Sequence, residues 1–143
     1  MNPSKTLIDH IKQAEGFSEK AYWDQDGGVW TIGYGHTRSV KRGDVVSKSE
    51  AERLIVSDLK NVTAYLSTIK EINTQGKFDA CADFCFNIGT GAFKSSTLLK
   101  LIKTGAPDKD IQAQFRRWVY SGGKKLPGLV TRRGWEAKRW AER

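Results

Sequence analysis

The chain has 143 residues, 38% hydrophobic and 28% charged, which suits one folded domain with a sizeable core and excludes a disordered chain. Twenty-four Lys/Arg against 16 Asp/Glu leave a net charge of +8, so a polyanionic partner is favoured. No apolar run approaches the roughly 20 residues of a membrane span, and "MNPSKTLIDHIKQAEG" has neither the apolar centre nor the cleavage site of a signal peptide. The expectation is cytosolic synthesis with no stable membrane insertion. Cys81 and Cys85 are too few for a disulfide framework and lack His neighbours for a metal, so they read as small buried apolar residues.

In chain order, Pro3 suits a first helical turn with Asn2 as cap, and Leu7, Ile8, Ile11 and Ala14 recur at helical spacing before a stop at Gly16. Residues 20–24 and 29–36 read as short strands around "QDGG", a small hairpin. Ser47 to Glu50, "SKSE", has capping-box spacing and opens a long amphipathic helix over about 48–68. "TQGKFDACADFCFNIG" is a more apolar helix ending at Gly89. Short helices follow over Ser96–Lys103 and from Asp108 to about Tyr120. "SGGKKLPG" is a loop, and a last helix runs from near Leu129 to the end. From Arg116 to Arg143 there are nine Lys/Arg and two Asp/Glu, so the positive excess lies mostly in the tail. The pattern predicts a mostly helical α+β chain, a β-hairpin lobe over about 15–47 joined by the 48–68 helix to a helical lobe over about 70–143, which packs with helix 4–15. A cleft between two such lobes is a common place for a site.

One arrangement carries chemistry. Glu15 continues the apolar stripe of the first helix, at its C-terminal end. Loss of water and the negative end of the helix dipole both favour a protonated carboxyl there, as a general acid requires. Asp24 sits in a polar turn and should stay ionised. Two carboxyls driven apart by their surroundings are the pattern of glycosidic bond cleavage, and Thr31 offers a hydroxyl that could hold a water. The plainer alternatives are a Glu paired with a nearby cation and an Asp that merely forms a turn.

"EG" followed at the same spacing by "YWDQDGGVWTIGYGHT" resembles the phage-type lysozymes, the T4- and P22-like endolysins. The family pattern is a Glu, eight residues, an Asp, five residues and a Thr; Glu15 and Asp24 match it, while six residues separate Asp24 from Thr31. Either the hairpin turn holds one extra residue or Asp26 takes the place of Asp24. "SKSEAERLIVSDL", "FNIGTGAFKSSTLL" and "GGKKLPGLVTRRGWEAKRW" are similar to the connecting helix, the middle segment and the closing Arg-rich helix, so the resemblance covers nearly the whole chain.

The resemblance implies a lysozyme-like fold and a muramidase that hydrolyses the bond between N-acetylmuramic acid and N-acetylglucosamine. Glu15, Asp24 and Thr31 would be catalytic, and Asn87, His36 and Tyr34 would bind substrate. No cofactor or metal is implied, no nucleic acid is expected, and the partner is the peptidoglycan glycan strand met by a monomer. The enzyme would collect in the host cytoplasm and reach the periplasmic peptidoglycan after holin-type release. A helix-end hydrogen bond for Asn87 and an ion pair for His36 are the structural alternatives. Most of Lys124, Lys125, Arg132, Lys138 and Arg139 read as a solvated helix face. Two other functions stay open: a lytic transglycosylase on the same substrate, which needs the Glu and can dispense with the Asp, and a non-enzymatic basic module binding nucleic acid or membrane.

Overall fold

The computed structural model describes residues 1–142 and resolves seven helices and four short strands among them. In order they are α1 (Lys5–Glu15), β1 (Ser18–Asp24), β2 (Val29–Gly33), α2 (Lys48–Leu66), α3 (Gln75–Ile88), α4 (Thr90–Lys94), α5 (Thr97–Lys103), α6 (Asp108–Phe115), β3 (Tyr120–Ser121), β4 (Lys124–Lys125) and α7 (Pro127–Ala141). The mostly helical α+β class is as the sequence predicts. Two compact units divide the chain: Ile8–Lys60, and Met1–Leu7 with Asn61–Arg143. None of the described helices is long and apolar enough to cross a membrane.

The Ile8–Lys60 unit holds the β1–β2 antiparallel hairpin and a small core of Ile8, Ile11, Ile32, Tyr34, Val46, Ala51, Ile55 and Leu59. The capping box forms as its spacing requires: Glu50 N–H donates to Ser47 Oγ at 3.2 Å, and Ser47 N–H reaches back to Glu50 Oε1 at 3.4 Å. Two orphan donors are thereby satisfied at the start of α2. Gly33, at φ +63°, closes against this helix, since a Cβ there would meet Ala51 Cβ at 2.9 Å.

The larger unit is an all-helical body centred on α3, whose residues from Phe78 to Cys85 are all buried. Helix α7 is its most extensive neighbour. Phe84 anchors an aromatic cluster, with ring centroids 5.9 Å from Phe93, 6.0 Å from Phe115 and 5.3 Å from Trp118. Edge-to-face pairs such as Phe84–Trp118 each add about 1 kcal/mol beyond area burial. Where α3 begins, Gly76 lets the end of α7 approach: a Cβ there would meet the carbonyl oxygen of Arg139 and lie 2.7 Å from that of Glu142, the residue that follows the helix.

Several boundaries differ from the sequence reading. Ser4, not Asn2, caps α1, its Oγ accepting from Leu7 N–H at 3.0 Å, and Pro3 precedes the helix. Ala14 is exposed, so the apolar stripe passes from Ile11 to Glu15 without it. Helix α6 stops at Phe115; Trp118 keeps the helical phase of its buried neighbours but sits in a turn. The "SGGKK" loop is a two-residue hairpin, with Gly122 and Gly123 both at positive φ. Such turns need two left-handed residues, which Gly-Gly supplies without strain. The five-residue α4 escaped the periodicity because it is shorter than two turns. The last helix starts earlier than Leu129, with Pro127 in its first turn, and Arg143 lies outside the described residues.

Candidate active site

Helix α1 ends where Gly16 adopts φ +68° and donates to Lys12 O at 3.0 Å, which leaves the half-buried Glu15 side chain at the helix terminus. Its carboxyl lies on the backbone of Gly35. A Cβ built on Gly35 would be 2.8 Å from Glu15 Oε2 and 3.0 Å from its Cδ. Gly35, at φ +80°, belongs to a tight loop after β2, in which Ile32 and His36 exchange both backbone hydrogen bonds, at 2.9 and 3.0 Å. Of the two glycines of "TIGYGH", Gly35 therefore serves the turn and leaves room for the acid, while Gly33 closes against Ala51.

Within the hairpin Tyr22 pairs with Thr31, Trp23 with Trp30 and Asp24 with Val29. Strand alternation puts Tyr22, Asp24 and Thr31 on one face and the Trp23–Trp30 pair, edge-on at 5.7 Å, on the other. Burial pushes the Tyr22 phenol pKa up, and the charges of Asp24 and Glu15 add to the shift. Its ring thus stands within electrostatic reach of both carboxyls.

Asp24 closes β1 and organises the turn. Its Oδ1 accepts from Asp26 N–H at 3.1 Å, and its carbonyl accepts from Gly28 N–H at 2.7 Å. Asp26 is exposed. Thr31 is buried, 4% exposed, with its hydroxyl 3.5 Å from the carbonyl of Val29.

Two more of the sequence candidates lie in the same unit. His36 Nδ1–H donates to both carboxylate oxygens of Asp58, on α2, at 2.8 and 3.0 Å. That fixes the ring and leaves Nε2 without a hydrogen-bond partner among the described residues. Tyr34 is buried, its ring 5.3 Å from that of Phe17 and 6.0 Å from Lys12 Nζ. Asn87 belongs to the other unit, in the last turn of α3. Its Oδ1 accepts from Arg133 Nη2 of α7 at 2.8 Å, rather than from its own helix end.

The profile of the phage lysozyme family matches residues 12–136. The chain belongs to the phage lysozyme family. It is 43% identical to the endolysin of Acyrthosiphon pisum secondary endosymbiont phage 1, over 93% of both chains. Identity to the endolysin of Bacillus phage B103 is 40% over 93% of this chain, which spans about half (51%) of that longer relative. Among solved structures, the muramidase domain of SpmX from Asticaccaulis excentricus superposes with a TM-score of 0.88 at 30% identity, covering 99% of each chain. The lysozyme-like fold inferred from the motifs is therefore the fold of this chain, and the protein is a glycoside hydrolase of the endolysin type.

In this phage lysozyme, motif reading did not single out Tyr22, Gly35, Asp58 or Arg133. Tyr22 and Gly35 lie inside the quoted motif, so only their contacts were hidden. Asp58 and Arg133 lie 22 and 46 residues from their partners, and no local pattern marks them. Arg132 corrects the expectation of a solvated face. It is buried and pairs with Asp83 on α3, Nη2 to Oδ1 at 2.8 Å and Nε to Oδ2 at 3.1 Å. Beside it, fully buried Arg133 contacts fully buried Glu136. The Arg133 Nε–H points past Glu136 Oε1 although the atoms are 2.7 Å apart, and the true hydrogen bond runs from Nη2 to Oε2 at 2.8 Å. Arg139 is half-buried on Asp79, whereas Lys124, Lys125 and Lys138 are exposed as expected. Burial, followed by the neighbouring Asp83 carboxyl, pushes the Glu136 pKa well above the ordinary 4.5, while Arg133 and Arg132 pull against it.

Proposed function

We propose that the enzyme hydrolyses the glycosidic bond between N-acetylmuramic acid and N-acetylglucosamine in peptidoglycan. Glu15 donates its proton to the leaving glycosidic oxygen. Asp24 stabilises the cationic transition state or activates the water, and Thr31 holds that water. The observation that carries this reading is geometric: Asp24 and Thr31 share one face of the hairpin, and the Glu15 carboxyl sits on Gly35 in the loop that follows β2. An acid at a helix end and a carboxyl nine residues further on thus act together. Asp24 is favoured over Asp26 because it shares the strand face of Tyr22 and Thr31, whereas Asp26 is exposed in the turn.

His36, through its open Nε2, Tyr34 and Asn87 are assigned to substrate binding. Hydrolysis of the host wall by a monomer, reached in the periplasm after holin-type release from the cytoplasm, is the biological role that follows. The large unit carries sixteen Lys/Arg against seven Asp/Glu, whereas Ile8–Lys60 carries eight against nine. The excess suits a wall rich in peptide carboxylates, with attraction that weakens as salt rises.

The test is reducing-end release from purified peptidoglycan, with products identified by mass spectrometry. Glu15→Gln should fold with the parent's thermal stability and release nothing. Anhydro-sugar ends in the parent's products would replace hydrolysis by transglycosylation.

A further inference from the structure

Asn87 is half-buried, and its two amide atoms have different fates. Arg133 is donor-only, so the atom it faces must be the amide oxygen, and the amide cannot be turned over without placing N–H against N–H. Arg133 Nη2 uses both its hydrogens, one on Asn87 Oδ1 and one on Glu136 Oε2, each at 2.8 Å. The guanidinium is itself held, fully buried, with its Cζ 5.2 Å from the Phe84 ring centroid. Asn87 Nδ2, by contrast, donates to no group among the described residues. A half-buried amide with its oxygen tied and its nitrogen open is a directed donor.

We propose that Arg133 is a positioning residue. It locks the Asn87 amide so that Nδ2–H2 is presented to an acceptor oxygen of the substrate, an amide carbonyl of the N-acylated glycan or of its stem peptide. This rests on the peptidoglycan reading above and adds the direction of the hydrogen bond, which residue type alone leaves open. Both candidate oxygens are amide carbonyls, so the chemistry is shared and only the source differs.

The experiment measures KM and kcat on soluble glycan strands, with and without stem peptides. Asn87→Asp keeps the size of the side chain and its contact to Arg133 but turns the outward donor into an acceptor. It should raise KM about tenfold, as should Asn87→Ala, with kcat nearly unchanged. Arg133→Lys loses the fork that holds the amide and should raise KM alone, yet add nothing in the Asn87→Ala background. Thermal unfolding accompanies each variant. Should Arg133→Lys fail to fold, the Asp/Ala comparison at Asn87 decides by itself. Stripping the stem peptides abolishes the Asn87 effect if the acceptor is a peptide carbonyl and preserves it if it is an acetamido oxygen; either result supports the proposal. An Asn87→Asp variant with the parent's KM, or an Arg133→Lys effect that adds in full to Asn87→Ala, overturns it. Anhydro ends on the products would defeat the hydrolytic reading alone, since KM is counted from strands cut.

Discussion

Glu15 rests its carboxyl on Gly35, where an added Cβ would lie 2.8 Å from Glu15 Oε2. The contact joins a helix terminus to a turn 20 residues later and makes the glycine part of the acid's environment. Gly35→Ala should cost about 1–2 kcal/mol for a left-handed L-residue. It should also lower lytic activity about a hundredfold by displacing the acid, since small misplacements of reacting groups are that costly. Gly105→Ala is the control: Gly105 has φ +72° but open space where a Cβ would go. The control should lose similar stability and keep its activity, as read by thermal unfolding and peptidoglycan clearing.

The two candidate carboxyls of the hairpin give opposite outcomes. Asp24→Asn should lose most activity while retaining the turn, because an Asn oxygen still accepts the Asp26 N–H. Asp26→Asn should leave clearing near the parent's, since its side chain is exposed. The reverse result would move the second carboxyl to Asp26.

Glu136 makes stability depend on pH in an unusual direction. Its folded pKa is raised, so its contribution is complete below the ordinary 4.5 and is lost as pH rises through the folded value. Asp83, Cys81 and Cys85 on α3 face it, with Arg132 and Arg133 on its own helix. The stability difference between the parent and Glu136→Gln should therefore shrink with rising pH, by at most about 1.4 kcal/mol per unit. Denaturant midpoints taken across the range from pH 4 to pH 8, roughly, would read it; a constant or growing difference contradicts the shift.

Cys81 and Cys85 should be inert in the folded protein. Both are free and buried, and burial pushes the Cys85 thiol up to about 12, with the Thr90 hydrogen bond acting against it. Thiolate is the reactive form. Ellman's reagent at neutral pH should therefore titrate neither thiol until denaturant is added.

Gly76→Ala should destabilise by about 1–3 kcal/mol, the cost of overpacking, because the added carbon meets α7 backbone rather than a yielding side chain. A shift in thermal midpoint with unchanged KM is the expected reading.

Helix α2 was legible in detail because a capping box and an apolar period are both local signals. So was the stop at Gly89, where the backbone requires φ +110°. Helix α6 was overextended because Trp118 keeps the right phase while sitting in a turn, and periodicity registers phase but not hydrogen bonds. Arg132 was misread for a related reason: its partner Asp83 lies 49 residues away, so nothing near it signals burial.

Residue order alone determined the family, the helical outline and the spacing of Glu15, Asp24 and Thr31, because these are carried by neighbours within a turn or two. Tertiary packing decided which amide atom of Asn87 and which nitrogen of His36 are already engaged, where the carboxyl of Glu15 lies, and which arginines leave water. Those are meetings of side chains far apart in the chain, and their geometry exists only once the backbone has closed around them.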